Sequence, residues 1–341
     1  MKRILAILAL AVAPALVLSS GGASAAITVN PDGSFSVSTD RIAYLYEPNG
    51  AIRISQFGVA LDGGAKKTVF TFINANPFQP LQPPTEHGRT ISIPGASASL
   101  ETHASPHATM FYKASAASQV TLSLDSGVGA VVLGDHALVW DADILADMAV
   151  TNDGTIEKSV DNIMVSLQDG DAMVYRVQGP SGSLGELMAS GKLHAEIDIT
   201  TVNMAVDSDL TSYKEGAYLA VEAISKGRAS LSFSGLDADS VAIVDLSDDV
   251  YSQVKEKLAV KVDGKSLNRY GDVQDFLKDS DNGFVVSEGS TYAEILLRAG
   301  QSSGVLVIET TGLDVLLVVA ALASVAVCVV AAFILFRRKS Q

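Results

Sequence analysis

Turn signals recur along this chain between short segments of alternating polarity, and that pattern confines most of it to β structure. Ile27-Thr28-Val29 runs into Asn30-Pro31-Asp32-Gly33 and then Ser34-Phe35-Ser36-Val37-Ser38. Ile42-Ala43-Tyr44-Leu45-Tyr46 runs into Glu47-Pro48-Asn49-Gly50 and then Ala51-Ile52-Arg53-Ile54. In both, proline pre-sets φ and glycine supplies a positive φ between two strands. Asp62-Gly63-Gly64, Asn152-Asp153-Gly154, Asp169-Gly170 and Asp263-Gly264 repeat the signal. Val120-Thr121-Leu122-Ser123-Leu124 and Ile163-Met164-Val165-Ser166-Leu167 alternate between them. Short strands at turn-sized spacing predict a mainly β, antiparallel, sandwich-like architecture. Helical patterning is confined to two short pieces. Ser247-Asp248-Asp249 reads as an N-cap with an acidic first turn, ahead of Val250, Val254 and Leu258 on one face. The second runs from Asp272 through Val273, Phe276 and Leu277.

The two ends follow different rules. Met1-Lys2-Arg3 precedes an apolar run from Ile4 to Leu18, then Ser19-Ser20-Gly21-Gly22 and Ala23-Ser24-Ala25-Ala26. A positive start, a short apolar core and an A-x-A site make an export signal, with cleavage expected after Ala25. The competing reading, a retained anchor, meets a core of roughly 15 residues where a span needs about 20. From Val315 to Phe336 no residue is charged, and Arg337-Arg338-Lys339 follow. Such a run is long enough to cross a hydrocarbon core about 30 Å thick, and basic residues stay on the cytoplasmic side. The expected organisation is a signal peptide at 1–25, an outward β-rich region at 26–312, one transmembrane helix at 313–336 and a basic cytoplasmic tail at 337–341. A processed sorting signal is the alternative for the anchor. Thr311-Gly312, the apolar span and the basic tail have the right order, but no Leu-Pro precedes them.

Charge narrows the partners. The chain carries 24 Lys and Arg against 38 Asp and Glu, a net charge of −14. Lys2, Arg3, Arg337, Arg338 and Lys339 lie in the two ends, so the region between is more acidic still. Such a surface repels phosphate backbones and argues against nucleic acid. Divalent cations and basic partners suit it, as does plain solvation. The single cysteine, Cys328, lies in the apolar span, so the outward part has neither disulfides nor thiol chemistry. At about 290 residues it is long enough to bury one or two cores without them. No Asn-x-Ser/Thr sequon occurs there.

Pro77, Pro80, Pro83, Pro84 and Pro94 cluster, and Asn74 to Pro94 reads as a long extended loop rather than a central strand. Gly179-Pro180-Ser181-Gly182-Ser183-Leu184-Gly185 marks the best break in the outward region. The expected units are 26–205 and 206–312. No repeat period suggests a solenoid or propeller.

Chemistry-bearing clusters are few. His87, His103 and His107 lie near Glu86, Glu101 and Met110. Neutral imidazoles suit zinc or copper, and a thioether at Met110 would favour Cu(I). The candidate metal set is His103 and His107, completed by His87 or Glu101. Pro106 keeps the His-x3-His spacing off a helix, so the plain alternative is a pair of loop histidines. If Ile91-Ser92-Ile93 and Met110-Phe111-Tyr112 were neighbouring strands, His87 would approach His107. Asp279-Ser280-Asp281-Asn282-Gly283 resembles the start of a calcium loop, with glycine where a ligand belongs. Asp141, Asp143 and Asp147 form another acidic group. A turn or a solvated face is the better explanation of each. No Ser/His/Asp set, G-x-S-x-G elbow, phosphate-binding glycine loop or paired carboxylates stands in a convincing context.

Leu258-Ala259-Val260-Lys261-Val262-Asp263-Gly264-Lys265, with Tyr270-Gly271-Asp272-Val273 and Phe276-Leu277, resembles a C-terminal module of uncharacterised archaeal cell-surface proteins. The resemblance covers about a quarter of the chain. It implies two closing strands at Tyr292–Leu297 and Val305–Ile308 and an envelope role, without catalytic residues. The His-Phe pair of the closing hairpin in those proteins is absent here. The expectation is a non-enzymatic, single-pass cell-surface protein presenting an acidic interaction surface, structural or adhesive, to an envelope protein partner. The alternatives are a ligand- or metal-binding receptor serving a membrane complex, and an extracytoplasmic hydrolase.

Overall fold

The computed structural model describes residues 26–310, apart from 39–41, 48–51, 58–65, 74–79, 81, 88, 104–106, 142–144, 203–204, 226, 252–257 and 290–291. The expected export signal, span and tail lie outside the described residues, as do Thr311-Gly312 and the turns at 48–50 and 62–64. Among the described residues no helix is long and apolar enough to cross a membrane. The chain divides into two compact units between Val177 and Gln178.

The first unit contains no helix among its described residues. Strands β1 (Ala26–Val29), β2 (Phe35–Ser38), β3 (Ile42–Tyr46), β4 (Ile52–Phe57) and β5 (Lys66–Phe72) form an antiparallel meander. A second meander follows: β6 (Thr85–His87), β7 (Thr90–Pro94), β8 (Ala98–His103) and β9 (Thr109–Ala114). β10 (Ser118–Leu124) returns to pair with β5. β11 (Gly129–Leu133), β12 (His136–Trp140) and β13 (Leu145–Val150) extend the second sheet. β14 (Thr155–Ser159) and β15 (Asn162–Leu167) close on β10, and β16 (Ala172–Val177) inserts between β13 and β9. The sheet orders are β1-β2-β3-β4-β5-β10-β15-β14 and β11-β12-β13-β16-β9-β8-β7-β6.

The alternation read from the sequence builds the core of this unit. Val120 pairs with Val165 and Leu122 with Ile163 across β10 and β15. These four share one buried cluster with Ile91, Ile93, Leu100 and Tyr112 from the other sheet. Phe70 meets Tyr175 edge-on at 5.3 Å, and Phe72 stacks on Tyr112 at 5.6 Å, so aromatic rings link the two sheets. Each such side chain contributes about 1.5–3 kcal/mol by leaving water. The loop expected at 74–94 holds strands instead: Pro83 and Pro84 precede β6, and Pro94 is the last residue of β7. Proline at a strand end forfeits little hydrogen bonding.

The second unit begins with α1 (Gly185–Ala189), which no sequence signal announced. β17 (Leu193–Val202), β18 (Ala205–Ser212), β19 (Tyr218–Ser225), β20 (Arg228–Ser234) and β21 (Val241–Ser247) follow, then α2 (Asp248–Tyr251). The chain continues with β22 (Leu258–Val262), β23 (Lys265–Ser266), β24 (Asn268–Arg269) and α3 (Val273–Lys278). It ends in β25 (Gly283–Glu288), β26 (Tyr292–Arg298) and β27 (Ser303–Thr310). The sheet orders are β18-β17-β21-β26-β25-β24 and β19-β20-β27-β22-β23, with one buried cluster drawn from both. β27, last in sequence, is central in its sheet, between β20 and β22.

Three expectations change here. The unit boundary expected at 205/206 falls at the start of β18, which pairs with β17 in the second unit. The expected antiparallel pattern has exceptions: β17 and β21 are parallel, as are β24 and β25. After β18 the chain crosses to the other sheet for β19 and β20, so β21 returns in the direction of β17. Leu258, expected on a helix with Val250, opens strand β22 instead, because Leu258, Val260 and Val262 alternate inward. The second expected helix forms as α3, with Asp272 as its N-cap accepting from the Asp275 amide at 2.8 Å.

Candidate functional site

The expected metal cluster divides between one ordered pair and two backbone positions. Successive register pairs put His87, Thr90, His103 and Thr109 in one row across β6, β7, β8 and β9. β8 therefore separates β7 from β9, which are not neighbours, because Gly95 to Ser97 turn the chain back at once. His87 and His103 lie two strands apart, roughly 10 Å at the backbone. His103 is buried, with Nε2 2.9 Å from Glu101 Oε1 and Nδ1 3.2 Å from Thr90 Oγ1. A carboxylate only accepts, so Nε2 donates to Glu101, while Nδ1 shares a hydrogen bond with the Thr90 hydroxyl. Lys113 donates to the other Glu101 oxygen at 2.8 Å. The His103 hydrogen bond, reinforced by Lys113 and opposed by burial, lowers the Glu101 carboxyl to about 2. A metal at His103 would have to displace Thr90 or Glu101. His107 is buried in the β8–β9 connection, where its carbonyl accepts from the Val177 amide at 3.0 Å. Met110 lies in the core cluster.

The other acidic candidates separate. Asp147 is buried on β13 in register with Arg176, while Asp143 falls outside the described residues. The calcium-like segment is a closed turn: Asp279 Oδ1 accepts from the Asp281 amide and Oδ2 from the Tyr270 hydroxyl.

A row of carboxylates in the second unit escaped sequence reasoning. Asp209, Asp198, Asp245 and Glu294 are successive register partners across β18, β17, β21 and β26, and all four are buried. They point away from the core: Ile197, Ile199, Val244, Leu246 and Ile295 on alternate positions fill it. Glu196 lies buried on the same face and accepts from the Tyr213 hydroxyl at 2.6 Å. Glu294 accepts from the Ser181 amide at 2.8 Å. Burial drives the Asp245 carboxyl well above its ordinary range, helped by the charges of Glu196 and Glu294 and a hydrogen bond to Glu196. Asp245 thus holds a proton where an exposed aspartate would have lost it. In the sequence these residues alternate with apolar ones, as they would on a solvated sheet face.

The first unit also exposes an apolar face. Val131 and Leu133 on β11, Trp140 on β12 and Leu145 on β13 are 38%, 47%, 41% and 46% exposed. Register pairs Val131 with Leu138, Gly129 with Trp140 and Trp140 with Leu145, so all of them share one side of the sheet. The opposite side carries Ala130, Ala137 and Val139 into the core. Trp140 is the only tryptophan of the chain. Its indole covers Gly129 so closely that a Cβ there would meet Cε2 at 2.6 Å.

No family model and no curated protein matches the chain. Among solved structures, a GH31 alpha-xylosidase from Xanthomonas citri aligns over 86% of this chain and 29% of its own, at 14% identity and a TM-score of 0.15. A score that low carries no argument about fold or activity.

Proposed function

We propose that this chain is a non-enzymatic, single-pass cell-envelope protein whose outward β-rich part makes contacts with other surface proteins. The uncharged run at 315–336 and the basic residues after it support the anchor and its orientation. The leader-like residues 1–25 support passage of the N-terminal part across the membrane.

The observation that carries the contact reading is the exposed face of Val131, Leu133, Trp140 and Leu145. Contiguous apolar side chains on an otherwise acidic surface mark interaction sites. Tryptophan is over-represented among the residues that dominate binding energy.

The test uses the full chain, displayed on cells with an epitope after Gln341. External protease removes the bulk of the chain and spares the epitope. Surface cross-linking and capture recover partners with the wild type and lose them with Trp140→Ser plus Leu145→Lys. Protection of the whole chain refutes the topology; unchanged partners in the double variant refute the contact reading.

A further inference from the structure

We propose that the β11 edge of the first unit pairs antiparallel with β11 of a second copy of this chain. This deepens the contact reading above and rests on it.

Among the described residues, the sheet order leaves β11 with a hydrogen-bonded neighbour on one side only, at β12. Edge strands that must stay single are blocked by charges, bulges or proline. The edge strand β14, which packs beside β11 from the other sheet, carries exposed Glu157 and Lys158. β6 carries Glu86, β18 Asp207 and Asp209, β19 Glu222, β23 Lys265 and β24 Arg269. β11, Gly-Ala-Val-Val-Leu, carries none. Among the described residues the other uncharged edge, β1, is shorter and has no such face beside it.

The register makes this edge fit a copy of itself. Gly134-Asp135 is a two-residue turn with φ +70° at Gly134, and Leu133 faces His136 across it. The pair that closes such a turn is hydrogen-bonded, and bonded and non-bonded pairs then alternate. The amide and carbonyl of Val131 therefore point inward to Leu138, and those of Ala130 and Val132 point out of the sheet. With a twofold axis at Val131, Ala130 of each copy exchanges both bonds with Val132 of the other. On the apolar side Val131 meets its own copy, and Leu133 comes opposite Gly129, against the edge of the indole that covers it. Such a patch is self-complementary, as a twofold interface requires.

Charge favours the same approach. Two chains with 38 acidic and 24 basic residues each repel over most of their surfaces. From Gly129 to Trp140 the one carboxylate is Asp135, in the turn. Antiparallel pairing places the two turns at opposite ends of the joined strands.

The experiment uses the full chain on intact cells with Cys328→Ser, so that no native thiol competes. Val131→Cys is compared with Glu86→Cys on β6, the opposite end of the same sheet, under a mild oxidant. Non-bonded cross-strand neighbours lie close enough for a disulfide, so Val131→Cys yields about tenfold more reducible homodimer than Glu86→Cys. Adding Leu133→Lys to the Val131→Cys chain removes that excess. Equal dimer at both positions overturns the inference, and so does a mixed disulfide between Val131→Cys and a different protein. If Val131→Cys gives no excess dimer while Trp140→Ser plus Leu145→Lys still loses its captured partners, the second-copy assignment falls and the contact reading stands.

Discussion

Trp140 lies over Gly129 of the neighbouring strand, with Cε2 2.6 Å from where a Cβ on that glycine would be. The ring occupies the space of an absent side chain. Gly129→Val must therefore push the indole off the strand without disturbing the core beneath. Because Trp140 is the only tryptophan, its emission reports that event alone. The expected result is a red-shifted, more quencher-accessible emission, with unfolding free energy changed by less than about 1 kcal/mol. Unchanged emission would show that the ring does not rest there.

Glu101 gives the first unit an acid-side weakness. Its carboxyl is lowered from 4.5 to about 2 by His103, with Lys113 assisting. A depressed folded-state value means stability that is present above 4.5 and lost as pH falls towards 2. Glu101→Gln is expected to cost about 2 kcal/mol at pH 7 and to flatten that acid limb. Denaturant titrations between pH 2 and 7 measure both effects.

Asp245 acts in the opposite direction. Its carboxyl is raised, so its contribution is complete below 3.8 and is lost as pH rises through the raised value. Asn mimics the protonated form. Asp245→Asn is expected to match the wild type near pH 4 and to exceed it by about 1–2 kcal/mol above the raised value, since a tenfold change in proton affinity corresponds to about 1.4 kcal/mol. Tm measured from pH 4 to 9 decides; parallel curves would remove the carboxyl from the pH response.

Two glycines with positive φ separate strain from space. Gly264 has φ +79° and open surroundings, whereas Gly235 has φ +70° and a Cβ there would lie 2.0 Å from the Gly216 carbonyl oxygen. Gly264→Ala is expected to cost about 1 kcal/mol, from backbone strain alone. Gly235→Ala is expected to cost more than about 3 kcal/mol, because backbone must move as well. Equal losses in equilibrium unfolding would refute the distinction.

These sites show what the sequence can and cannot convey. Asp263 and Gly264 have positive φ in the tight turn that joins β22 to β23, a conformation their residue types allow. The alternating runs 120–124 and 163–167 proved to be partners, since both must turn one side to the same core. Alternation fixes which side of a strand faces the core but says nothing of what covers the other side. Asp198, Asp245 and Glu294 are therefore indistinguishable in the sequence from solvated carboxylates, and His103 gives no sign that Thr90 would occupy its second ring nitrogen. Partner choice across a long gap is equally silent, hence the missed parallel pairing of β17 with β21. Leu258 misled because helical and strand periodicities both passed through it, and the strand claimed it.

The central position of β27 sets a schedule for assembly. Chains are made from the N-terminus, and domains fold as their segments become complete. β20 and β22 have no contact surface for each other until β27 arrives between them, so the second unit waits for Thr310, whereas every strand of the first is finished by Val177. A chain ending at Ser302 is accordingly expected to keep a protease-resistant first unit and a digestible second one, with limited proteolysis as the readout. For as long as the last strand is missing, the second unit is a client for whatever guards unfinished polypeptides where this one is assembled.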